Sequence, residues 1–128
     1  MRWDQVTIGF DDDTWGRIKK VEEEFGFGSA LDASKFLFSI GFTLIRKSGD
    51  PIRKVGGGKS QTRYNAGSID PEQNILTVMN VLSDENPSAS GNETFEFLVT
   101  TGADWFERKL SEYQFLTLAD TLKLLRES

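Results

Sequence analysis

The chain has 128 residues, contains neither cysteine nor histidine, and carries a net charge of -5. The length suits one domain, and without cysteine or histidine the chain lacks disulfides, thiolate nucleophiles, the usual zinc ligands and imidazole acid-base groups, which excludes most enzyme classes. We therefore expect a single domain over residues 1–128 without a cofactor. We find no signal segment and no run of ~20 apolar residues, and so we expect a soluble cytoplasmic protein that does not enter a membrane.

The first predicted elements are a strand and a helix. Val6, Ile8 and Phe10 alternate with polar residues or glycine, a period that is typical of a strand with one buried face. Three consecutive aspartates follow at 11–13, where a carboxylate can accept the free amides of a helix N-terminus. We predict that this helix runs to Gly26, because glycine suits a left-handed C-cap.

A second helix is predicted to follow, with Asp32 as its N-cap and Lys47 near its end. Its apolar residues cover so much of its circumference that protein must surround most of it. These residues are Phe36, Leu37, Ile40, Phe42, Leu44 and Ile45. A lone short strand also needs a partner strand. Both elements therefore predict a second copy of the chain, in a homodimer or higher oligomer.

Strand, helix, glycine-containing loop and buried helix in this order resemble the ribbon-helix-helix unit, in which two chains pair their strands and interlock their helices. The resemblance covers residues 1–47. It implies that Gln5 and Thr7, with Gly9 beside them, lie on a ribbon face that can enter a major groove, and that the amides at 32–34 can hold a phosphate. A ribbon that only dimerises, without reading bases, is the alternative.

Residues 48–69 are predicted to be a glycine-rich, basic loop. Between Arg46 and Arg63, six basic residues stand against one acid, a local charge of +5 that leaves -10 for the rest of the chain. The basic residues are Arg46, Lys47, Arg53, Lys54, Lys59 and Arg63. A basic segment on an acidic body predicts contacts to DNA phosphates, and a solvated flexible loop is the alternative.

The sequence GGGKS at residues 56–60 looks at first like a phosphate-binding P-loop. The P-loop frame requires glycine five residues before the last of these glycines, where the chain has Arg53. We therefore expect no nucleotide hydrolysis.

Three further helices are predicted in the C-terminal half. Asp70 caps the first, and the second begins near Asn92 and contains Gly102, a residue that indicates close approach of another helix. Thr117 and Asp120 form a capping box for a short last helix. The predicted fold is mostly α, with one short strand and about five helices. It consists of a ribbon-helix-helix-like core over 1–47, the basic loop over 48–69 and a helical extension over 70–128.

Several segments together carry a second resemblance, which spans nearly the whole chain. They are residues 24–27, 40–44, 63–67, 95–110 and 116–122, with Gly102 inside the fourth. In this order they resemble the DndE family, the small subunit of bacterial and archaeal DNA phosphorothioation systems, which act in anti-phage defence. The chain departs from the family pattern at Thr100-Thr101, where a basic residue is expected.

The DndE resemblance implies a non-catalytic, homo-oligomeric DNA-binding subunit that prefers nicked duplex DNA and works beside a desulfurase, an ATPase and a sulfurtransferase-like partner. The DNA contacts that we predict are the six basic residues from Arg46 to Arg63, from their local charge, and Gln5 and Thr7, from the ribbon-helix-helix resemblance. The alternatives are a ribbon-helix-helix repressor or antitoxin with a partner-binding extension, and a protein-interaction scaffold that binds no nucleic acid.

Overall fold

The computed structural model describes residues 7–52, 61–65, 68, 75, 91–113 and 117–127. Its elements in chain order are β1 (Thr7–Phe10), α1 (Asp12–Phe25), α2 (Ala30–Ser48), β2 (Gln61–Asn65), α3 (Gly91–Glu112) and α4 (Leu118–Glu127). The predicted mostly helical class is confirmed. The described residues contain four of the five expected helices, and the helix predicted from Asp70 lies outside them, except that Ile75 is helical and packs on the core.

The strand β1 pairs with a second strand of the same chain. The two form an antiparallel sheet in which Thr7 lies opposite Asn65 and Gly9 lies opposite Arg63. The predictions of a single strand and of an uninterrupted loop over 48–69 are therefore wrong, because β2 completes the hydrogen-bonded ladder that β1 requires. The described residues do not show the ribbon between two chains that a ribbon-helix-helix unit needs.

Local signals fix three of the helix ends. The Asp11 carboxylate accepts the Thr14 amide at 2.7 Å, and Gly26 ends α1 with a φ of 66°, as predicted. The capping box before α4 is also confirmed: the Asp120 amide donates to the Thr117 hydroxyl at 3.0 Å, and the Thr117 amide donates to the Asp120 carboxylate at 3.2 Å.

The N-cap of α2 is Ser29 rather than the predicted Asp32. The Ser29 hydroxyl accepts the Asp32 amide at 3.2 Å, and its carbonyl accepts the Ala33 amide at 3.2 Å. The helix begins at Ala30 because alanine and leucine are strong helix formers, which places Asp32 in the first turn. The amides expected to hold a phosphate at 32–34 are thus partly used within the helix cap.

The helices α2 and α3 cross at very close range through two glycines. A Cβ added to Gly41 would lie 2.7 Å from the carbonyl carbon of Leu98, and one added to Gly102 would lie 2.9 Å from that of Leu37. This confirms the predicted close approach at Gly102. Side chains of α1, α2, α3 and β1 form one core around the crossing, which includes Ile8, Ile18, Leu37, Ile40, Phe95, Leu98, Val99 and Phe106.

The two features that led us to expect a second chain have partners within this one. The strand β2 pairs with β1, and α3 covers one side of α2. The other apolar side chains of α2 are half-buried, among them Phe42, Leu44 and Ile45. Among the described helices, none has the length and apolar character needed to cross a membrane.

Candidate nucleic-acid interface

The candidate interface begins at the C-terminal end of α2. Arg46 and Lys47 occupy its last turn, where cations interact favourably with the helix dipole. Gly49 ends the helix with a φ of 72°, and its amide donates to the Ile45 carbonyl at 2.9 Å. Both basic residues are exposed, and neither is without an interaction partner. The chain thus leaves α2 with positive charge on its surface.

Lys47 ties this end of α2 to the end of α4. Its ammonium group donates to the carbonyls of Leu125 at 2.7 Å and Arg126 at 2.8 Å. Those carbonyls belong to the last turn of α4, which has no intrahelical donors for them. Lys47 therefore brings the exposed Arg126 next to the end of α2, and part of its own hydrogen-bonding capacity is used in the process.

The segment 53–60 of the predicted basic loop lies between two anchored positions. Ile52, directly before it, is 2 % exposed and belongs to the hydrophobic core. Directly after it, β2 is hydrogen-bonded to β1. Residues 53–60 therefore connect the core next to α2 with the sheet. The predicted contacts Arg53, Lys54 and Lys59 lie in this interval, outside the described residues.

The residues predicted for the ribbon face have a different setting from that expected. Gln5 lies outside the described residues, whereas Thr7 and Arg63 lie in β1 and β2. Gly9 is buried, and its amide donates to the Glu96 carboxylate of α3 at 2.9 Å. The expectation that Gly9 is open to a DNA groove is wrong, because α3 closes this part of β1.

Glu96 is the most unusual side chain that the sequence analysis missed. It is 2 % exposed and reaches β1 from the second turn of α3. A buried carboxylate costs free energy unless it is hydrogen-bonded, and the Gly9 amide supplies one bond. The sequence did contain a sign of its burial: Glu96 stands between Phe95 and Phe97, and it precedes the apolar Val99 by three residues, so that the two share one side of a helix. Its role here is to join α3 to the sheet.

A second missed group is the ion-pair network of Arg17. Its guanidinium donates to Asp104 at 2.6 Å and to Glu107, and so connects α1 with α3. Burial lowers the pKa of Arg17, but the hydrogen bond to Glu107 and the charges of Asp104, Glu107 and Asp13 raise it further, so that the net shift is upward. The network therefore joins α1 to α3 through one guanidinium group.

The described part of the chain holds no group of three or more acidic side chains that could bind a metal ion. Comparisons with known protein families, with curated proteins and with solved structures gave no match. The geometry defines a mostly helical domain with a two-stranded antiparallel sheet and a basic segment anchored on both sides.

Proposed function

We propose that the protein is a non-catalytic DNA-binding accessory subunit of a DNA sulfur-modification system. In this proposal, residues 53–60 and the neighbouring Arg46 and Arg63 contact the phosphates of duplex or nicked DNA. The observation that carries the proposal is the anchoring of this segment by Ile52 at one end and β2 at the other. The assignment to sulfur modification rests on the DndE resemblance.

Anchoring favours phosphate binding because it concentrates cations without the entropy cost of a free tail. The local charge of +5 lies on a chain whose net charge is -5, so this basic segment contrasts with the acidic remainder of the chain. Each phosphate neutralised releases counterions and makes the affinity dependent on salt. Contacts of this kind position a protein on DNA without reading its sequence.

A ribbon-helix-helix repressor or antitoxin is less well supported. Such a protein would present β1 on a ribbon formed with a second chain, whereas here β1 has β2 as its partner and the Gly9 amide is bonded to Glu96. If the ribbon did read bases, Gln5→Ala and Thr7→Ala would lower affinity for one sequence and not for others.

We further propose that the subunit acts as a homo-oligomer beside the other subunits of the modification complex. The half-buried apolar side chains on α2 support this part of the proposal, because a neighbouring copy would cover them. Sedimentation velocity of the purified chain tests it, and a monomer at every concentration up to ~100 µM, well above the affinity expected for a stable oligomer, would contradict it.

The test of DNA binding is a salt series with nicked, intact and single-stranded oligonucleotides. The triple variant Arg53→Ala/Lys54→Ala/Lys59→Ala should bind every duplex more weakly and flatten the log-log salt dependence by up to ~3 units, since each phosphate contributes about 0.9. If the DndE resemblance holds, the nicked duplex binds more tightly than the intact one.

A matched control separates local contacts from net charge. The variant Lys19→Ala/Lys20→Ala/Arg108→Ala also removes three exposed positive charges, from α1 and α3, and should leave the salt slope unchanged. Equal loss of affinity in both triple variants would mean that total charge, and not the anchored segment, governs binding. Absence of binding by the unmodified chain at ~50 mM salt would favour the scaffold function.

A further inference from the structure

The ammonium group of Lys47 lies between the proposed DNA-contacting segment and the last helix. Lys47 belongs to the last turn of α2, a few residues before the segment 53–60. Its ammonium group donates to the carbonyls of Leu125 and Arg126 at 2.7 and 2.8 Å. An ammonium group has three donors, and two of them are thus directed at the end of α4. While α4 is docked, most of the hydrogen-bonding capacity of Lys47 is used within the protein.

The acceptors that α4 offers to Lys47 are easily replaced. Both are neutral backbone carbonyls in the last turn of α4, and the bond to Arg126 is exposed to solvent. Water can hydrate the carbonyls at an exposed helix end when a side chain leaves them. A DNA phosphate carries a full negative charge, so it attracts an ammonium group more strongly than a carbonyl does. Phosphate therefore competes with α4 for the Lys47 side chain.

The helix α4 packs on the rest of the molecule over only part of its apolar side. Leu118 and Leu125 lie seven residues apart and thus about 20° apart around the helix axis. Leu125 is 8 % exposed, whereas Leu118 is 46 % exposed and Leu122 is 50 % exposed. The docked helix therefore buries the end of its apolar side that lies next to the Lys47 bonds. A helix held by so small a contact is among the elements that open first.

The other side of the contact is firmly held. The Gly49 amide donates to the Ile45 carbonyl at 2.9 Å and closes the last turn of α2, and Ile52 is buried in the core. Lysine has a flexible four-carbon side chain that can move its ammonium group between acceptors. Release of Lys47 thus needs movement of one side chain and one small helix, and α2 can stay in place.

We propose that α4 is an autoinhibitory latch on Lys47. The docked helix withholds the ammonium group from DNA, and release of the helix adds Lys47 to the residues that contact phosphates. This inference rests on the proposed function, because it concerns the same DNA-binding surface. By linkage, a change that loosens α4 strengthens DNA binding, and DNA binding loosens α4 by the same factor.

The first test loosens α4 without changing any charge. Leu125→Ala removes its buried contact, and Thr117→Ala removes the hydroxyl that caps its other end. Each variant should bind an intact duplex about threefold more tightly at ~50 mM salt and steepen the log-log salt dependence by up to about 0.9, the value of one additional phosphate. The matched control is Leu122→Ala, which shortens an exposed leucine of the same helix and should change neither quantity.

The second test asks whether the gain depends on Lys47. Lys47→Met also releases α4 but removes the cation, so it should change the affinity for duplex DNA less than about twofold. In the Lys47→Met background, Leu125→Ala and Thr117→Ala should no longer raise the affinity. A lysine that only caps α4 predicts no gain in either background. Circular dichroism should show that all of these variants keep the folded core.

Hydrogen exchange follows α4 directly. Saturating duplex DNA should raise the exchange rate of the α4 amides about threefold in the unmodified chain, because phosphates take Lys47 from the helix. In the Lys47→Met variant, DNA should leave this rate unchanged. Slower exchange of α4 in the presence of DNA would show that binding needs the docked helix, and the latch would then be wrong.

The outcomes separate the latch from the proposed function. If Leu125→Ala and Thr117→Ala leave DNA affinity unchanged while the triple variant of Arg53, Lys54 and Lys59 lowers it, the latch is wrong and the proposed function stands. A gain in affinity that persists in the Lys47→Met background also overturns the latch. Absence of binding by the unmodified chain and by every variant at ~50 mM salt overturns the proposed function and the latch together.

Discussion

At the scale of single residues, the buried side chain of Glu96 shows how a polar group can stabilise this fold. Its oxygen accepts the Gly9 amide at 2.9 Å, and the two residues are 87 positions apart in the chain. A buried backbone amide without a partner is costly, so the bond matters chiefly because its loss would leave Gly9 unpaired. By contrast, the Arg17 network on the surface is partly solvated, and it contributes less to the stability of the fold than the buried bond between Glu96 and Gly9.

Glu96→Ala should therefore destabilise the protein by about 1–3 kcal/mol, the cost of a buried amide without an acceptor. Glu96→Gln keeps an acceptor oxygen and should cost less. The matched control is Glu107→Ala on the same helix, which removes a half-exposed partner of Arg17 and should cost under about 1 kcal/mol. Urea unfolding measures all three. Equal effects of the Glu96→Ala and Glu107→Ala variants would show that the Gly9 bond is unimportant.

At the scale of secondary-structure elements, the crossing of α2 and α3 depends on the absence of side chains at Gly41 and Gly102. At each glycine an added Cβ would collide with the backbone of the facing helix, and a backbone cannot move aside as a flexible side chain can. The two helices supply much of the core, including Leu37, Phe95 and Leu98. Any increase in their separation therefore exposes apolar surface along the whole contact.

Gly41→Ala and Gly102→Ala should each destabilise the protein by about 2 kcal/mol, since overpacking outweighs the gain of ~1 kcal/mol in helix propensity. Gly16→Ala on α1 is the matched control: no atom lies within 4 Å of its added Cβ, so propensity alone acts and stability should rise. Thermal unfolding of the three variants shows whether each substitution lowers or raises the stability of the protein. A stabilising Gly41→Ala or Gly102→Ala would show that the helices lie further apart than described.

At the scale of the whole molecule, long-range contacts join the ends of the chain to its centre. Glu96 connects α3 to β1, and Lys47 connects the end of α2 to the end of α4. Only Thr121 and Leu125 of α4 are buried, so this helix has a small share of the core and depends on its ends. We expect α4 to be the element that opens most readily.

Lys47→Met should raise the hydrogen-exchange rate of the α4 amides at least about fivefold, because the charge-assisted hydrogen bonds from Lys47 to the last carbonyls of α4 are lost. Exchange in the buried parts of α2 and α3 should stay the same, since that core is untouched. Lys123→Met, which removes an exposed charge from α4 itself, serves as the control and should leave exchange unchanged. Protection of α4 that is identical in all three proteins would contradict an anchoring role for Lys47.

The sequence by itself determined the features that depend on neighbouring residues. The alternation of Ile8 and Phe10, the left-handed Gly26 and the capping box from Thr117 to Asp120 all follow from local backbone chemistry, and each is present. Composition also identified a basic segment between Arg46 and Arg63, with a local charge of +5 on a chain of net charge -5. The N-cap of α2 was misplaced because Ser29 and Asp32 are both good capping residues and only the actual helix start decides between them.

Only the tertiary structure decided the features that join distant residues. The segment at Gln61–Asn65 has no strong apolar alternation and becomes a strand because β1 offers it a ladder of hydrogen bonds. The pairing of Glu96 with Gly9 and of Lys47 with the end of α4 likewise brings together residues 87 and 78 positions apart. No local pattern encodes such contacts, because their free energy comes from burial and pairing that exist only once the whole chain has folded.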